Sequence, residues 1–142
     1  MKIILSHRYQ DFDALASMVA AQRLWPDAVL VIESISGSAV QDFLALAKEQ
    51  LPYIRLKDIE PDKVQEIILV DTYDLQRAVS NRKVLEKLKN AKLKIFDHHP
   101  YNGPKHENIS IQTVGACTTI LVEMIVSRGI KISSFDATLM AL

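Results

Sequence analysis

The stretch Ile67-Ile68-Leu69-Val70-Asp71-Thr72 decides the fold. Its four consecutive apolar residues are typical of a strand buried on both faces, as in parallel sheets. Similar runs alternate with segments of helical spacing. Strands are predicted at residues 2–6, 28–35, 54–56, 67–70, 92–96 and 109–112, and helices at residues 11–25, 40–51, 80–88, 115–127 and 134–142. This alternation predicts an α/β fold with a mostly parallel central sheet and helices on both faces.

The composition is that of an ordinary globular domain. The chain has 142 residues, of which 49% are hydrophobic, and its 17 basic residues balance 17 acidic ones. This balance gives no strong overall field that would attract nucleic acid or a membrane. Cys117 is the single cysteine, which excludes an intrachain disulfide and favours a reducing, cytoplasmic location.

Polar residues follow several of the predicted strands. His7, Asp71 and Asp97 each stand at the carboxyl end of one. Because ligands of parallel sheets bind beyond these ends, we expect the three side chains to meet at one edge. The histidines and aspartates near these strand ends offer imidazole and carboxylate ligands. Such ligands suit two divalent metal ions, and two ions suit phosphoester hydrolysis.

The acids of this set also have ordinary structural explanations. Asp11 and Asp13 precede or begin a predicted helix, where an aspartate caps free backbone N–H groups. Asp71 could instead form a cap or an Asx-turn with Thr72. Asp74 is interpreted as a solvated loop acid.

Asp97-His98-His99-Pro100 is the most informative motif. Adjacent histidines point in different directions, so one can bind a metal while the other faces substrate. A neighbouring aspartate can orient an imidazole by accepting its N–H. The alternative is a polar loop in which the histidines have no such role. The fourth histidine, His106, lies among polar residues and is predicted to be a surface residue.

Two further segments flank the expected site. Residues 115–119, Gly-Ala-Cys-Thr-Thr, begin a helix whose free N–H groups could receive a phosphate, although an ordinary cap explains them equally well. Cys117 within it is expected to be buried and inert. Residues 100–108 are predicted to form a surface loop over the site.

The motifs together resemble one known superfamily. They are Ser6-His7 with Asp11-Phe12-Asp13-Ala14, then Val70-Asp71-Thr72, Asp97-His98-His99-Pro100, and Gly115-Ala116-Cys117-Thr118-Thr119. In this order and spacing they resemble the DHH phosphoesterases, which include single-strand exonucleases, oligoribonucleotide and cyclic-dinucleotide phosphodiesterases, and family II inorganic pyrophosphatases.

The resemblance implies a site for two divalent ions, usually Mn²⁺ or Mg²⁺. The implied metal ligands are His7 and Asp11 on one ion, Asp13 on the other, Asp71 as a bridge, and His98. The implied catalytic residues are His99, which would face the phosphate, and Asp97, which would support the histidines.

Departures from the superfamily pattern bear on domain organisation. Its members usually carry one more ligand aspartate, shortly after the position of Leu142, and a C-terminal substrate-binding domain. We therefore expect residues 1–142 to be a DHH N-terminal domain truncated before its last motif, with the C-terminal domain absent. Gln10 and Ala14 disfavour the pyrophosphatase branch, which usually has proline and serine at these positions.

The segments Asp11 to Ser17 and Leu24 to Ala28 resemble DHH domains at the N-terminus of large bacterial proteins. Those proteins also carry CBS domains and a tRNA nucleotidyltransferase, or poly(A) polymerase-like, module that acts in RNA processing. The resemblance predicts a metal-dependent phosphoesterase that hydrolyses a short nucleic acid or small nucleotide, with no membrane partner. The alternative is a non-catalytic module of the larger protein that senses nucleotides or docks partners. The missing aspartate predicts that this fragment alone is weak or inactive.

Overall fold

The computed structural model describes residues 1–35 and 37–142. Within them, six strands form one sheet in the order β3-β2-β1-β4-β5-β6, and every neighbouring pair is parallel. The strands are β1 (Lys2–Leu5), β2 (Val29–Ile32), β3 (Ile54–Arg55), β4 (Glu66–Val70), β5 (Lys92–Asp97) and β6 (Ile109–Ile111). The predicted parallel α/β fold is confirmed.

Helices cover both faces of this sheet. They are α1 (Phe12–Leu24), α2 (Ser38–Leu46), α3 (Leu75–Ala78), α4 (Arg82–Leu88), α5 (Cys117–Ser127) and α6 (Ser134–Met140). Residues alternate between the faces along each strand. Ile4 and Ile68 pack against α1, α2 and α5, whereas Ile3 and Ile67 pack against α3 and α4. The unbroken apolar run of β4 is therefore explained by burial on both sides.

Helix α1 lies deep in the molecule because small residues occupy much of its surface. Ala14, Ala16 and Ala20 are buried, which lets the sheet and two other helices approach closely. Arg23 of α1 makes a two-pronged ion pair with Asp136 of α6, with N···O distances of 2.6 and 3.1 Å. The first helix after β1 is therefore held in place by both α5 and α6.

Several predicted boundaries were wrong. Helix α2 ends at Leu46 rather than continuing to Leu51, because the chain turns over residues 47–50 on its way to β3. The helix predicted at residues 80–88 is α4, which begins at Arg82 after its cap Asn81, whose side chain accepts from Lys83 and Val84 N–H; the short helix α3 before it was not predicted.

The ends of the last two helices also differ from the prediction. Helix α5 begins at Cys117 rather than at Gly115, since Ala116 is extended, and α6 begins at Ser134 as predicted but ends at Met140. In the part of the chain that is described, no helix is long and apolar enough to cross a membrane.

The order of the strands determines where a ligand site can lie in this sheet. The chain adds β2 and β3 on one side of β1, and then β4, β5 and β6 on the other side. The direction of winding therefore reverses between β1 and β4, and a crevice for ligands opens at such a point beyond the strands' carboxyl ends. His7 follows β1, Asp71 follows β4, and Asp97 ends β5.

Candidate metal centre

Asp71 is the centre of the cluster. It is 2% exposed and has a φ of 58°, a left-handed conformation that aspartate tolerates better than most residues. Its N–H donates to the Phe96 carbonyl at 2.9 Å and lies 3.3 Å from Cys117 Sγ. These contacts with β5 and α5 hold the turn that directs the carboxylate into the crevice.

The two oxygens of Asp71 face different imidazoles. Oδ2 lies 3.1 Å from His7 Nε2, and Oδ1 lies 3.1 Å from His98 Nε2. The second pair is within ion-pair distance, but its geometry is not that of a hydrogen bond. Burial raises the pKa of Asp71, and the nearby charge of Asp13 raises it further. The hydrogen bond with His7 lowers the pKa but does not cancel these two effects. A buried carboxylate between two ring nitrogens is the environment of a bridging metal ligand.

His98 has one ring nitrogen engaged and the other directed at carboxylates. Its Nδ1 lies 3.1 Å from the Val114 carbonyl, which can only accept, so Nδ1 carries a proton and donates it. Nε2 then faces Asp71 Oδ1 and, at 3.5 Å, Asp13 Oδ2. Burial lowers the pKa of His98, but the Val114 bond and the carboxylates outweigh burial and raise it. This ring therefore favours either a second proton or a cation at Nε2.

Asp11 both caps helix α1 and lies in the cluster around Asp71. Its Oδ1 accepts from Ala14 N–H at 2.9 Å, so Asp11 caps α1 as the structural explanation requires. The carboxylate is exposed and also approaches His7 and Asp71: one potential ligand atom from each of the three lies within 4.8 Å of the others.

Asp13 lies beneath the cluster and caps α5 rather than its own helix. Its oxygens accept from Cys117 N–H and Thr118 N–H, both at 2.9 Å, and from Thr118 Oγ1 at 2.6 Å. Burial would raise the pKa of Asp13, but the Thr118 and Cys117 bonds outweigh burial and hold it below 3.8. The Asp13 carboxylate occupies the first N–H groups of α5. This helix end therefore has an ordinary cap and is not an open site for a phosphate.

Asp97 organises the histidine pair. It is fully buried, and its Oδ1 accepts from His98 N–H at 2.8 Å and from His99 Nδ1 at 2.6 Å. The His99 ring is 40% exposed, and the Asp97 bond leaves its Nε2 for the solvent side. The two rings therefore differ in role: His98 reaches inward to Asp71, and His99 faces outward.

Two groups of residues can hold a metal ion, and they share Asp71. The first is His7, Asp11 and Asp71; the second is Asp71, Asp97, His98 and His99. Within the described residues, Asp71 Oδ1 and Asp97 Oδ2 are buried without a hydrogen-bond partner, as expected where cations complete the site. Asp13 belongs to neither group, although it approaches His98.

The thiol of Cys117 does not belong to the donor set. It is buried and donates to the Phe96 carbonyl at 3.2 Å, and burial raises its pKa to about 12. A thiol with that pKa stays protonated at neutral pH and is a poor ligand. The remaining oxygen and imidazole donors fit divalent ions such as manganese or magnesium better than structural zinc.

Some contacts at the site had no signal in the sequence. The Val114 carbonyl that orients His98 is a backbone group, so no residue type marks it. The phosphate hypothesis drew attention to Thr118, but not to its bond with Asp13. Asp74 is not a solvated loop acid; it caps α3 by accepting from Gln76 N–H at 2.9 Å. His106 is exposed, as predicted.

Known proteins match this chain over almost its whole length. Residues 2–142 match the DHH family, N-terminal domain. The A-adding tRNA nucleotidyltransferase of Geobacter sulfurreducens is 32% identical over 145 residues, and the protein of that name in Aquifex aeolicus is 31% identical over 141 residues. These alignments cover 100% and 99% of this chain, which spans only 16% of each relative.

Two solved structures share the fold. An exopolyphosphatase-related protein from Bacteroides fragilis superposes with a TM-score of 0.70 at 16% identity, covering 99% of this chain and 44% of that one. A Methanococcus jannaschii protein assigned to the family II inorganic pyrophosphatases gives 0.69 at 23% identity, covering 99% and 46%. At these identities the likeness establishes the fold alone.

Proposed function

The chain belongs to the DHH family, and from that membership we propose that it is the two-metal phosphoesterase domain of a larger protein. Its reaction is hydrolysis of phosphodiester bonds in a short nucleic acid or small nucleotide. Membership of the family supports hydrolysis of phosphoesters in general. The polymer or nucleotide substrate is the finer part of the proposal.

The observation that carries the proposal is the position of Asp71. Its carboxylate is buried between His7 Nε2 and His98 Nε2, with 3.1 Å to each. We assign His7 and Asp11 to one ion, Asp13 and His98 to the other, and Asp71 to both. When bound, Mn²⁺ or Mg²⁺ ions at these residues would activate water and stabilise the charge that develops on the phosphate.

The residues around the ions have separate tasks. The half-buried His99 lies beside the cluster, and Asp97 fixes its ring through the 2.6 Å bond to Nδ1. Because Nδ1–H is engaged with Asp97, Nε2 can donate to a phosphate oxygen only as part of the imidazolium, and it is placed for that role. Asp97 positions both histidines, and Thr118 positions Asp13 through the 2.6 Å bond from its hydroxyl.

We assign further domains to the same polypeptide. The chain spans 16% of each tRNA nucleotidyltransferase that it matches, which supports further domains, including a nucleotidyltransferase (poly(A) polymerase-like) module. The CBS domains are proposed from the resemblance of the sequence motifs. We propose that the second ion gains one more carboxylate ligand from a residue beyond Leu142. We also propose that a following domain holds the substrate over the cleft. Because positioning contributes about 7–11 kcal/mol to catalysis in well-oriented sites, the 142-residue chain alone is expected to hydrolyse weakly.

Metal binding is the most direct test. Manganese is titrated calorimetrically into the 142-residue chain, into Asp71→Asn, and into Asp42→Asn as a control, since Asp42 is an exposed aspartate of α2. Two sites in the wild type and control, with both weakened in Asp71→Asn, are expected from a shared ligand. Unchanged binding by Asp71→Asn refutes the assignment, and one weak site in the wild type supports a sensing or docking module.

Activity is tested on a chain extended through the following domain. Short RNA is incubated with manganese or with chelator, and products are compared between wild type and His99→Ala. Manganese-dependent cleavage that His99→Ala reduces supports the assigned roles. Cleavage by the extended chain that is equal with and without metal contradicts them.

A further inference from the structure

A pocket of about 450 Å³ lies beside the metal cluster, between the loop of residues 100–108 and strand β6. Its size is within the usual range for small-molecule sites, about 300–1,000 Å³. The side chains that line it include His99, Tyr101, Lys105, His106, Ile109 and Ile111. His99 is therefore shared between this pocket and the site of the proposed hydrolysis.

Three contacts define the orientation of the tyrosine ring that forms one wall of the pocket. The Tyr101 hydroxyl donates to the Pro104 carbonyl at 3.0 Å, and the ring packs edgewise on Tyr73 with centroids 5.1 Å apart. The ring also lies directly over Gly103, where an added Cβ would clash with the Tyr101 hydroxyl. Only glycine at position 103 leaves room for the ring in this orientation.

The polar wall offers donors and a positive charge. Lys105 supplies an ammonium group. His106 Nδ1 accepts from Asn108 N–H at 3.1 Å, so the proton of the neutral ring is on Nε2, which is then a donor. Ammonium and imidazole donors suit the oxygens of a phosphate group.

The two walls together suit a nucleotide better than an inorganic phosphate chain. Polyphosphate would use only Lys105 and His106 and would leave the tyrosine ring and the isoleucines without a role. A nucleotide would use both, because a base stacks on an aromatic face while its phosphate binds the cation. We propose that this pocket binds the base and phosphate of the nucleotide next to the scissile bond. The part of this proposal that places the nucleotide next to the scissile bond rests on the proposed function. The part that a nucleotide binds in the pocket does not.

Binding to the metal-free chain tests the pocket separately from hydrolysis. With EDTA present, 15N-labelled chain is titrated with AMP and, in parallel, with inorganic tripolyphosphate. We expect AMP to bind more tightly and to shift the amide signals of Ile109 and Ile111. Equal binding of the two ligands, or AMP shifts confined to other strands, overturns the proposal.

Variants of the aromatic wall sharpen the test. Tyr101→Ala is expected to weaken AMP binding about tenfold, whereas Tyr101→Phe keeps the ring and most of the affinity. Gly103→Ala keeps the tyrosine but displaces it, so it should weaken AMP binding as Tyr101→Ala does. Tyr9→Ala removes a tyrosine that is 72% exposed and outside the pocket, and serves as the control. Unchanged affinity in both Tyr101→Ala and Gly103→Ala, with circular dichroism showing folded protein, refutes the stacking role.

The two proposals fail in different ways. If AMP binds at the pocket but the extended chain shows no metal-dependent hydrolysis, the nucleotide site stands and the phosphoesterase activity falls. If hydrolysis occurs but AMP does not bind the metal-free chain at Ile109 and Ile111, the pocket assignment falls alone.

Discussion

Replacing Thr118 with valine should loosen the support of Asp13 with little change of shape. Valine has nearly the same volume and helix propensity as threonine, so the substitution removes mainly the hydroxyl. That hydroxyl donates to Asp13 Oδ1 at 2.6 Å and lies 3.1 Å from Ser17 Oγ. Thr118 is 5% exposed, so water cannot replace the lost bond.

The size of the effect follows from these contacts. A hydrogen bond to a charged group contributes about 1.5–3 kcal/mol. The Cys117 and Thr118 N–H bonds to Asp13 survive the substitution, so we take a loss of about 2 kcal/mol in the free energy of unfolding. For a chain of this size, that lowers Tm by about 6 °C. Residues that orient metal ligands typically contribute 10–100-fold to metal affinity, so manganese should bind about tenfold more weakly.

The assay is urea unfolding of the metal-free chain at pH 7, followed by calorimetric manganese titration. Thr119→Val is the matched control, because Thr119 is the next residue of α5 and is exposed. The control should change the free energy of unfolding by less than about 0.5 kcal/mol. If Thr118→Val and Thr119→Val behave alike in both measurements, the reasoning that Thr118 supports Asp13 is refuted.

Three further predictions follow from other buried groups. In the metal-free protein, Asp71→Asn should be more stable than the wild type by about 1 kcal/mol, because asparagine also tolerates a φ of 58° and the substitution removes a buried charge. Urea unfolding that shows a large loss of stability would contradict this expectation. Arg23→Met should cost about 3 kcal/mol, since it leaves the Asp136 carboxylate, only 3% exposed, without its cation; unfolding of the double variant with Asp136→Asn should recover part of that loss. Cys117 should not react with Ellman's reagent at pH 8 until urea unfolds the chain, because burial raises the pKa of its thiol from 9.0 to about 12. The protonated, buried Cys117 thiol contributes fully to the free energy of unfolding below about pH 9, and this contribution is lost as the pH rises towards 12. A free energy of unfolding that rises with pH between 9 and 12 would contradict the raised pKa of Cys117.

The local character of the chain was readable from its sequence. Apolar runs such as residues 67–70 predicted strands buried on both faces, and helical spacing predicted the layers around them. The boundaries were less certain, because α2 and the pair α3 and α4 end where the chain must turn to reach the next strand. Periodicity reports which face of an element is buried, but the exact end depends on the neighbours that the turn has to meet.

The candidate residues were also named from sequence, since histidines and aspartates stood at strand ends. What the sequence could not supply was their mutual geometry. The order of the strands, with β1 beside β4, is decided by packing among elements far apart in the chain. The left-handed turn at Asp71 depends on contacts with Phe96 and Cys117.

The clearest contrast between the two levels is at Asp13 and His98. Sequence reasoning placed Asp13 as a cap of its own helix or as a ligand, and the tertiary structure shows its carboxylate capping α5, more than a hundred residues away. His98 was a candidate ligand from its motif, but its tautomer depends on the Val114 carbonyl. Residue types decide which chemistry is possible, because they carry the donors and charges. The folded chain decides which donor meets which acceptor, because those contacts join segments that no local pattern connects.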